Sequence, residues 1–145
     1  MEILTKRFQQ LSLDELYLIL NSRQEVFTVE QNIVYQDLDY LDQSSTHMFI
    51  KDGENMVAYL RIIDAGAKFK ETSIGRVLTT KPYRSKGFGR KIMQAALQYL
   101  KDRNGYPIKI DAQEYLVGFY ESLGFKQISE PFILEGISHV EMYHP

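Results

Sequence analysis

Residues 84–89 read RSKGFG, between a predicted strand, SIGRVLTT (73–80), and a predicted helix, GRKIMQAALQYLKDR (89–103). A helix N-terminus carries unpaired backbone N–H groups at the positive end of the helix dipole. Glycines let an anion approach the backbone closely, and an arginine can hold a phosphate through two hydrogen bonds. The segment is therefore typical of a phosphate site, although a tight strand–helix turn with solvated charges explains it about equally well.

Two common phosphate motifs are excluded by the same residues. No Gly-Lys-Ser/Thr sequence ends the segment, so it is not a P-loop. If Gly87 and Gly89 began a dinucleotide-binding fingerprint, the third glycine would stand at position 92, which is Ile92.

Composition limits the class of protein. A chain of 145 residues suits a single domain, 1–145, and its net charge of −2 argues against a nucleic-acid partner. There is no cysteine, which removes disulfides, thiol catalysis and thiolate metal sites. The longest purely apolar run is LYLIL (16–20) and the N-terminus lacks the pattern of a signal peptide, so we expect a cytoplasmic protein with no membrane partner.

The order of predicted elements is mixed, which favours an α/β (α+β mixed) fold over a bundle or barrel. SLDE (12–15) is a capping box that begins a helix, and the helical pattern resumes through 22–31. Further helices are predicted at 89–103 and 114–124. Strands are predicted at 3–8, 46–51, 56–63, 73–80, 107–113, 125–128 and 138–144.

Beyond these patterns, several segments resemble one known superfamily. YRSKGFGRKIM (83–93) resembles the Arg-x-x-Gly-x-Gly segment of the GCN5-related N-acetyltransferases (GNAT), and FYESLGF (119–125) resembles their Phe-Tyr-x-x-x-Gly-Phe segment. Other stretches are similar to the ElaA-like branch: RQEVFTVEQN (23–32), YQDLD (35–39), His47, IGRVLT (74–79), AQEYLVGFY (112–120) and EGISHVEM (135–142). The resemblance covers nearly the whole chain, and Thr28 departs from the apolar residue usual in this branch.

The resemblance implies a V-splayed mixed β-sheet flanked by helices, with acetyl-CoA held between the strands at 73–80 and 107–113. Backbone N–H groups of the glycine segment would hold the pyrophosphate, and a short stretch of the preceding strand would pair its backbone with the pantetheine arm. The residues that would hold the pyrophosphate are Arg84, Ser85, Lys86, Gly87, Phe88, Gly89 and Arg90. Those that would pair with the pantetheine arm are Val77, Leu78 and Thr79.

Tyr120 would contact the cofactor and act as the general acid that protonates the departing CoA thiolate. The sequence pattern alone favours a structural role for Tyr120, because a tyrosine beside Phe119 and Leu123 on a short helix is usually a core residue.

An amine acceptor must also lose a proton, which requires a base acting directly or through water. Glu30 and His47 are the principal candidates, with Glu114 and His139 also suitable by residue type. Both principal candidates also have a non-catalytic interpretation. Glu30 could be a solvated charge at a helix end, and His47 could pack at a strand edge.

The acceptor pocket is expected to involve Arg23, Arg61, Arg76, Gln113 and His139. An arginine within a strand must face solvent, a cleft or a carboxylate, so the arginines either bind an anionic acceptor group or form salt bridges to acidic neighbours. The three histidines show no paired metal-ligand spacing, so no metal is expected.

These observations predict an N-acetyltransferase that moves an acetyl group from acetyl-CoA to a primary amine by direct attack in a ternary complex. The acceptor would be a small molecule or a peptide or protein amine, and the protein a monomer or a homodimer. The alternative is a non-catalytic module that binds and senses acyl-CoA, which would need the glycine segment but no positioned acid.

Overall fold

The computed structural model describes residues 1–145 and contains two antiparallel four-stranded sheets and three α-helices. One sheet has the order β1-β2-β3-β4, and in the other β8 is flanked by β5 on one side and by β6 and β7 on the other. The helices are α1 (Leu13–Arg23), α2 (Phe88–Asp102) and α3 (Val117–Glu121). The strands are β1 (Ile3–Arg7), β2 (Thr46–Asp52), β3 (Asn55–Ile63), β4 (Ser73–Thr79), β5 (Ile108–Gln113), β6 (Lys126–Gln127), β7 (Phe132–Leu134) and β8 (Ile137–His144).

The two sheets meet at a single parallel bridge between Thr72 and Ile108. The backbone N–H of Lys109 donates to the carbonyl of Thr72 at 2.9 Å, and beyond this point β4 and β5 form no ladder. The strands therefore open into a V, which confirms the predicted splayed mixed sheet and leaves one edge of β4 facing a cleft.

The side chains of the central strands β2 and β3 alternate between the two faces of the first sheet, and apolar side chains occur on both faces. This explains why helices cover both faces. Met48 and Ile50 of β2 face the larger core, together with Leu60 of β3, whereas Phe49 and Tyr59 face a smaller core beneath α1. Successive side chains of a strand point to opposite faces, so a strand buried on both faces is apolar nearly throughout. The larger core is completed by α2, which buries Ile92, Met93, Ala96 and Leu100.

The N-terminal helix begins at the predicted capping box. The hydroxyl of Ser12 accepts from the N–H of Glu15 at 3.0 Å, and the Glu15 carboxylate accepts from the N–H of Ser12 at 2.8 Å. The helix then changes to π-helical geometry over Gln24–Glu30 instead of continuing as a regular α-helix. Such π-helical turns are rare and frequently occur at functional sites.

The C-terminal half differs in detail from the sequence prediction. The predicted helix at 114–124 is a 3₁₀ turn, Glu114–Leu116, followed by the short helix α3. The strand β7 was not predicted, because three residues before a turn carry too little pattern to identify. None of the three helices combines the length and the apolar composition that a membrane span requires.

Candidate functional site

The V between the sheets holds a cleft of about 620 Å³, which is in the usual size range of ligand pockets. Its walls come from the π-helical segment, the free edge of β4, β5, α3 and the β7–β8 turn. A single cleft thus joins parts of the chain that are far apart in sequence.

A β-bulge shapes the wall formed by β4. Tyr59 pairs with Leu78 and Arg61 pairs with Gly75, which leaves Leu60 opposite both Arg76 and Val77. Arg76 has a φ of 52°, and bulges of this kind bend a strand and redirect its side chains. The bulge turns Arg76 into the cleft wall.

The predicted pantetheine segment lies just after this bulge. Val77, Leu78 and Thr79 all line the cleft, and the edge of β4 that faces β5 has no strand partner here. The Leu78 side chain is buried in the smaller core, so its contribution to a ligand would come from the backbone. An unpaired strand edge can bind a linear amide-containing ligand as it would bind another strand.

The glycine segment lies at one end of the cleft, where Arg84 and Gly89 are part of the lining. The backbone N–H groups of residues 85–90 have no acceptor within the protein. Gly87 caps α2 with a φ of 84°, a left-handed conformation that glycine adopts without strain, and Ser85 also has a positive φ of 62°. Such a turn makes a concave set of N–H donors, which together with the helix dipole suits an anion.

The Arg84 side chain links this segment to the rest of the cleft. Its Nε donates to the carbonyl of Thr79 at 2.9 Å, and its Nη2 donates to Oε1 of Glu30 at 2.6 Å. Glu30 lies at the end of the π-helical segment, so the ion pair joins the two sides of the cleft. The structure therefore brings Glu30 into the cleft as the partner of Arg84.

Tyr120 lies on α3 with 7% of its surface exposed, and it lines the same cleft. Its ring packs edge-on against Phe119 and Phe125, while its hydroxyl has no hydrogen-bond partner within the protein. Burial, with a smaller contribution from Tyr115, raises the pKa of Tyr120 to about 12. The phenol is therefore fully protonated at neutral pH.

Gln113 and His139 form the opposite wall. They are directly paired across the antiparallel β5–β8 ladder, and both line the cleft. The chain contains no group of three or more histidine, aspartate or glutamate side chains placed to hold a metal ion.

Comparisons with known proteins agree with this geometry. Residues 14–144 match the model of the acetyltransferase (GNAT) domain family. The chain belongs to the GNAT acyltransferase family. An acyl-CoA N-acyltransferase from Pseudomonas aeruginosa has a crystal structure with a TM-score of 0.94 and 32% identity, over 99% of both chains.

Two further relatives place this GNAT protein in the ElaA-like branch. The crystal structure of Escherichia coli ElaA has a TM-score of 0.92 and 31% identity, again over 99% of both chains. A UPF0039 protein of Synechocystis sp. is 40% identical over 141 residues, which cover 94% of this chain and 90% of that protein. The family uses acyl-CoA as co-substrate, and the unpaired edge of β4 and the free N–H groups of residues 85–90 fit such a molecule.

His47 was a candidate base in this GNAT protein, and the structure does not support that role. Its ring is fully buried, with Nδ1 2.7 Å from the Tyr59 hydroxyl and Nε2 2.9 Å from the Asp42 carbonyl. Burial lowers the pKa of His47, and the ring does not line the cleft. His47 is a core histidine whose two nitrogens are both hydrogen-bonded.

The prediction that Arg23 belongs to the acceptor pocket is also wrong. Its guanidinium is completely buried outside the cleft, and it donates from Nε to Asp37 at 3.0 Å and from Nη1 to Asp42 at 2.7 Å. The charge of a buried arginine that pairs with two carboxylates is already neutralised, so this arginine does not bind an anionic substrate.

Arg61 does not line the cleft either, so the prediction that it belongs to the acceptor pocket is wrong. Arg76 does line the cleft, but part of its guanidinium is already paired and is not available to an acceptor. Arg61 is 1% exposed and pairs with Asp39 and Asp42, although its Nε lacks a partner. Arg76 lines the cleft, but its Nε donates to Asp37 at 2.8 Å. Salt bridges to acidic neighbours, the alternative interpretation, account for Arg23 and Arg61, whereas Arg76 forms such a bridge and also lines the cleft.

The partners of these arginines are what sequence reasoning missed. YQDLDYLD (35–42) supplies three aspartates within six residues, and together they neutralise Arg23, Arg61 and Arg76. A signal was present, because Arg61 within the apolar stretch MVAYLRII (56–63) cannot be buried without a carboxylate.

Proposed function

We propose that this GNAT acyltransferase transfers an acetyl group from acetyl-CoA to a primary amine by direct attack in a ternary complex. The observation that carries the proposal is the Tyr120 hydroxyl: the side chain is buried and lines the same cleft as the glycine segment, while its hydroxyl has no hydrogen-bond partner within the protein. A module that only senses acyl-CoA would need the N–H groups of residues 85–90 but would have no use for a positioned proton donor.

The proposed chemistry follows from this placement. Residues 85–90 hold the pyrophosphate, and the backbone of residues 77–79 aligns the pantetheine arm along β4. The amine attacks the thioester carbonyl, the C–S bond breaks, and Tyr120 protonates the sulfur that leaves. The protonated phenol stabilises negative charge on the thiolate as it forms, which is the role of a general acid.

Binding and turnover can be tested in one experiment. The protein is titrated calorimetrically with acetyl-CoA, with ATP and NAD as controls, and then assayed for thiol release with a panel of primary amines. We expect selective binding of acetyl-CoA and amine-dependent thiol release. Binding without thiol release from any amine would favour the sensing module, and no binding at all would contradict both functions.

Removing the Arg84 side chain tests the pyrophosphate site. Arg84→Ala is expected to weaken acetyl-CoA binding by about 1–3 kcal/mol, since a hydrogen bond to a charged group contributes about that much. Arg84 is 40% exposed, so the thermal stability of the protein should change little. The matched control is Arg103→Ala, because Arg103 lies at the far end of α2 and stacks on Tyr99. Equal acetyl-CoA affinity in the two variants would remove Arg84 from the site.

Because Glu30 pairs with Arg84, it competes with the pyrophosphate for this side chain. Removing the Glu30 charge should therefore affect acetyl-CoA binding in the opposite direction to Arg84→Ala. Glu30→Gln is expected to tighten acetyl-CoA binding by up to about fivefold, the equivalent of an exposed ion pair of about 1 kcal/mol. In an Arg84→Ala background the same substitution should have no effect on affinity, which a double-mutant cycle by calorimetry measures directly. An unchanged affinity combined with a large loss of kcat would instead support Glu30 as the general base.

A further inference from the structure

His139 is the only one of the three histidines that lines the cleft. Its Nδ1 lies 2.8 Å from the backbone carbonyl of Ile137. A carbonyl oxygen only accepts, so Nδ1 must carry the hydrogen in this contact. In the neutral ring the lone pair is then on Nε2, which has no hydrogen-bond partner within the protein.

The ring is held in place by regular structure. His139 lies on β8 between two strands, opposite Gln113 of β5 and Phe132 of β7. Its ring stacks on that of Phe132 with centroids 6.2 Å apart and planes inclined at 30°, and the residue is 9% exposed. A base fixed on a strand, with its tautomer set by a backbone carbonyl, keeps its orientation through the reaction.

The other charged groups of the cleft are mostly engaged. On the N-terminal side, Glu30 pairs with Arg84 at 2.6 Å, and the guanidinium of Arg76 pairs with Asp37 at 2.8 Å.

On the same side of the cleft as His139, Asp111 of β5 faces Lys68 at 3.5 Å. Glu114 accepts from the Ser138 hydroxyl at 2.9 Å. The remaining titratable groups there are exposed at the rim of the cleft: Tyr115 and Glu135.

We propose that Nε2 of His139 is the general base that takes the proton from the attacking amine. The proposal rests on the proposed acetyl transfer and adds the proton acceptor to it. The amine nitrogen forms a bond to the acetyl carbon as the C–S bond breaks, and the amine gives one proton to Nε2. Tyr120 gives its proton to the CoA sulfur, so one proton leaves the amine and one reaches the thiol.

The tautomer can be measured without knowing the acceptor. Long-range ¹H–¹⁵N NMR spectra of the histidine rings, recorded at pH 8 with and without acetyl-CoA, distinguish Nδ1–H from Nε2–H. The His139→Gln and His144→Gln variants assign the signals, and we expect His139 to be neutral with the proton on Nδ1. A neutral ring protonated on Nε2, or a doubly protonated ring at this pH, would overturn the proposal.

The kinetic arm uses any amine of the panel that supports thiol release. His139→Gln keeps a polar side chain but has no base, so kcat should fall by roughly 10²–10⁴-fold with acetyl-CoA affinity unchanged. The wild-type profile of kcat/KM should fall at acidic pH, where the protonated ring cannot accept, and this acidic limb should disappear in His139→Gln. Imidazole added to His139→Ala should restore part of the turnover, which a purely structural role of His139 would not allow.

The outcomes separate this proposal from the proposed function. If the wild type transfers acetyl groups and His139→Gln matches it in kcat and pH profile, the base is another group and the proposed function stands. If the wild type does not bind acetyl-CoA, both proposals fail together. If it binds acetyl-CoA but uses no amine of the panel, the sensing module is favoured, and the general base fails together with the proposed acetyl transfer. The His144→Gln variant should keep wild-type turnover, because His144 lies outside the cleft.

Discussion

Replacing Tyr120 by phenylalanine is expected to lower kcat by roughly 10²–10⁴-fold, the usual contribution of a positioned general acid. The ring would keep its edge-on packing against Phe119 and Phe125, so the fold should not change. The hydroxyl has no partner within the protein, and its loss therefore leaves no buried group unsatisfied. The effect should be confined to turnover, with acetyl-CoA affinity retained.

Steady-state kinetics and calorimetry together provide the measurement. Tyr99→Phe is a suitable control, because Tyr99 lies on α2 and packs against the larger core without lining the cleft. Full turnover of Tyr120→Phe would show that Tyr120 only packs against its neighbours. A parallel loss of acetyl-CoA affinity and kcat would assign Tyr120 to cofactor binding rather than proton transfer.

The parts of the site that the sequence predicted well are those determined locally. The N–H groups of residues 85–90 are free because they begin α2, and glycine at 87 permits the left-handed cap. Both features follow from a few adjacent residues, so the turn between β4 and α2 could be predicted from the sequence. The V shape of the sheet was known from family resemblance, since a single bridge between Thr72 and Ile108 has no sequence pattern of its own.

Burial is what the sequence could not determine. His47 and His139 are the same residue type on predicted strands, yet one is enclosed in the core and the other lines the cleft. The difference depends on which strands flank each histidine, and β7, which stacks Phe132 on His139, was too short to predict. The interpretation of Arg23 and Arg61 failed for a similar reason, because their carboxylate partners lie 14 to 22 residues away along the chain.

The same buried charges lead to the largest expected effect on stability. Asp42 is 6% exposed and accepts from Arg23 at 2.7 Å and from Arg61 at 2.9 Å. Asp42→Asn keeps the size of the side chain but leaves these guanidiniums with one carboxylate fewer. Removing one partner of a buried ion pair typically costs about 3–5 kcal/mol, and we expect a loss of that order in the free energy of unfolding.

The effect should depend on pH in a defined direction. Burial alone would raise the pKa of Asp42, but the Arg23 and Arg61 guanidiniums outweigh it and hold this pKa below its usual range. A carboxyl whose pKa is lower in the folded state stabilises the protein above its unfolded pKa, about 3.9, and loses that contribution as the pH falls through the folded value. The stability difference between wild type and Asp42→Asn should therefore be largest near neutral pH and shrink in acid below about pH 4.

Urea unfolding at pH 7 and at lower pH provides the test, because a change of midpoint at constant slope reports stability alone. The matched control is Asp64→Asn, which removes the carboxylate of an exposed pair with Arg7 at 3.5 Å. An exposed pair typically contributes no more than about 1 kcal/mol, so the control should unfold close to wild type. If Asp42→Asn were as stable as Asp64→Asn, the buried charges would not stabilise the fold. The segment 35–42 would then be held beside the cleft by packing rather than by its ion pairs with Arg23 and Arg61.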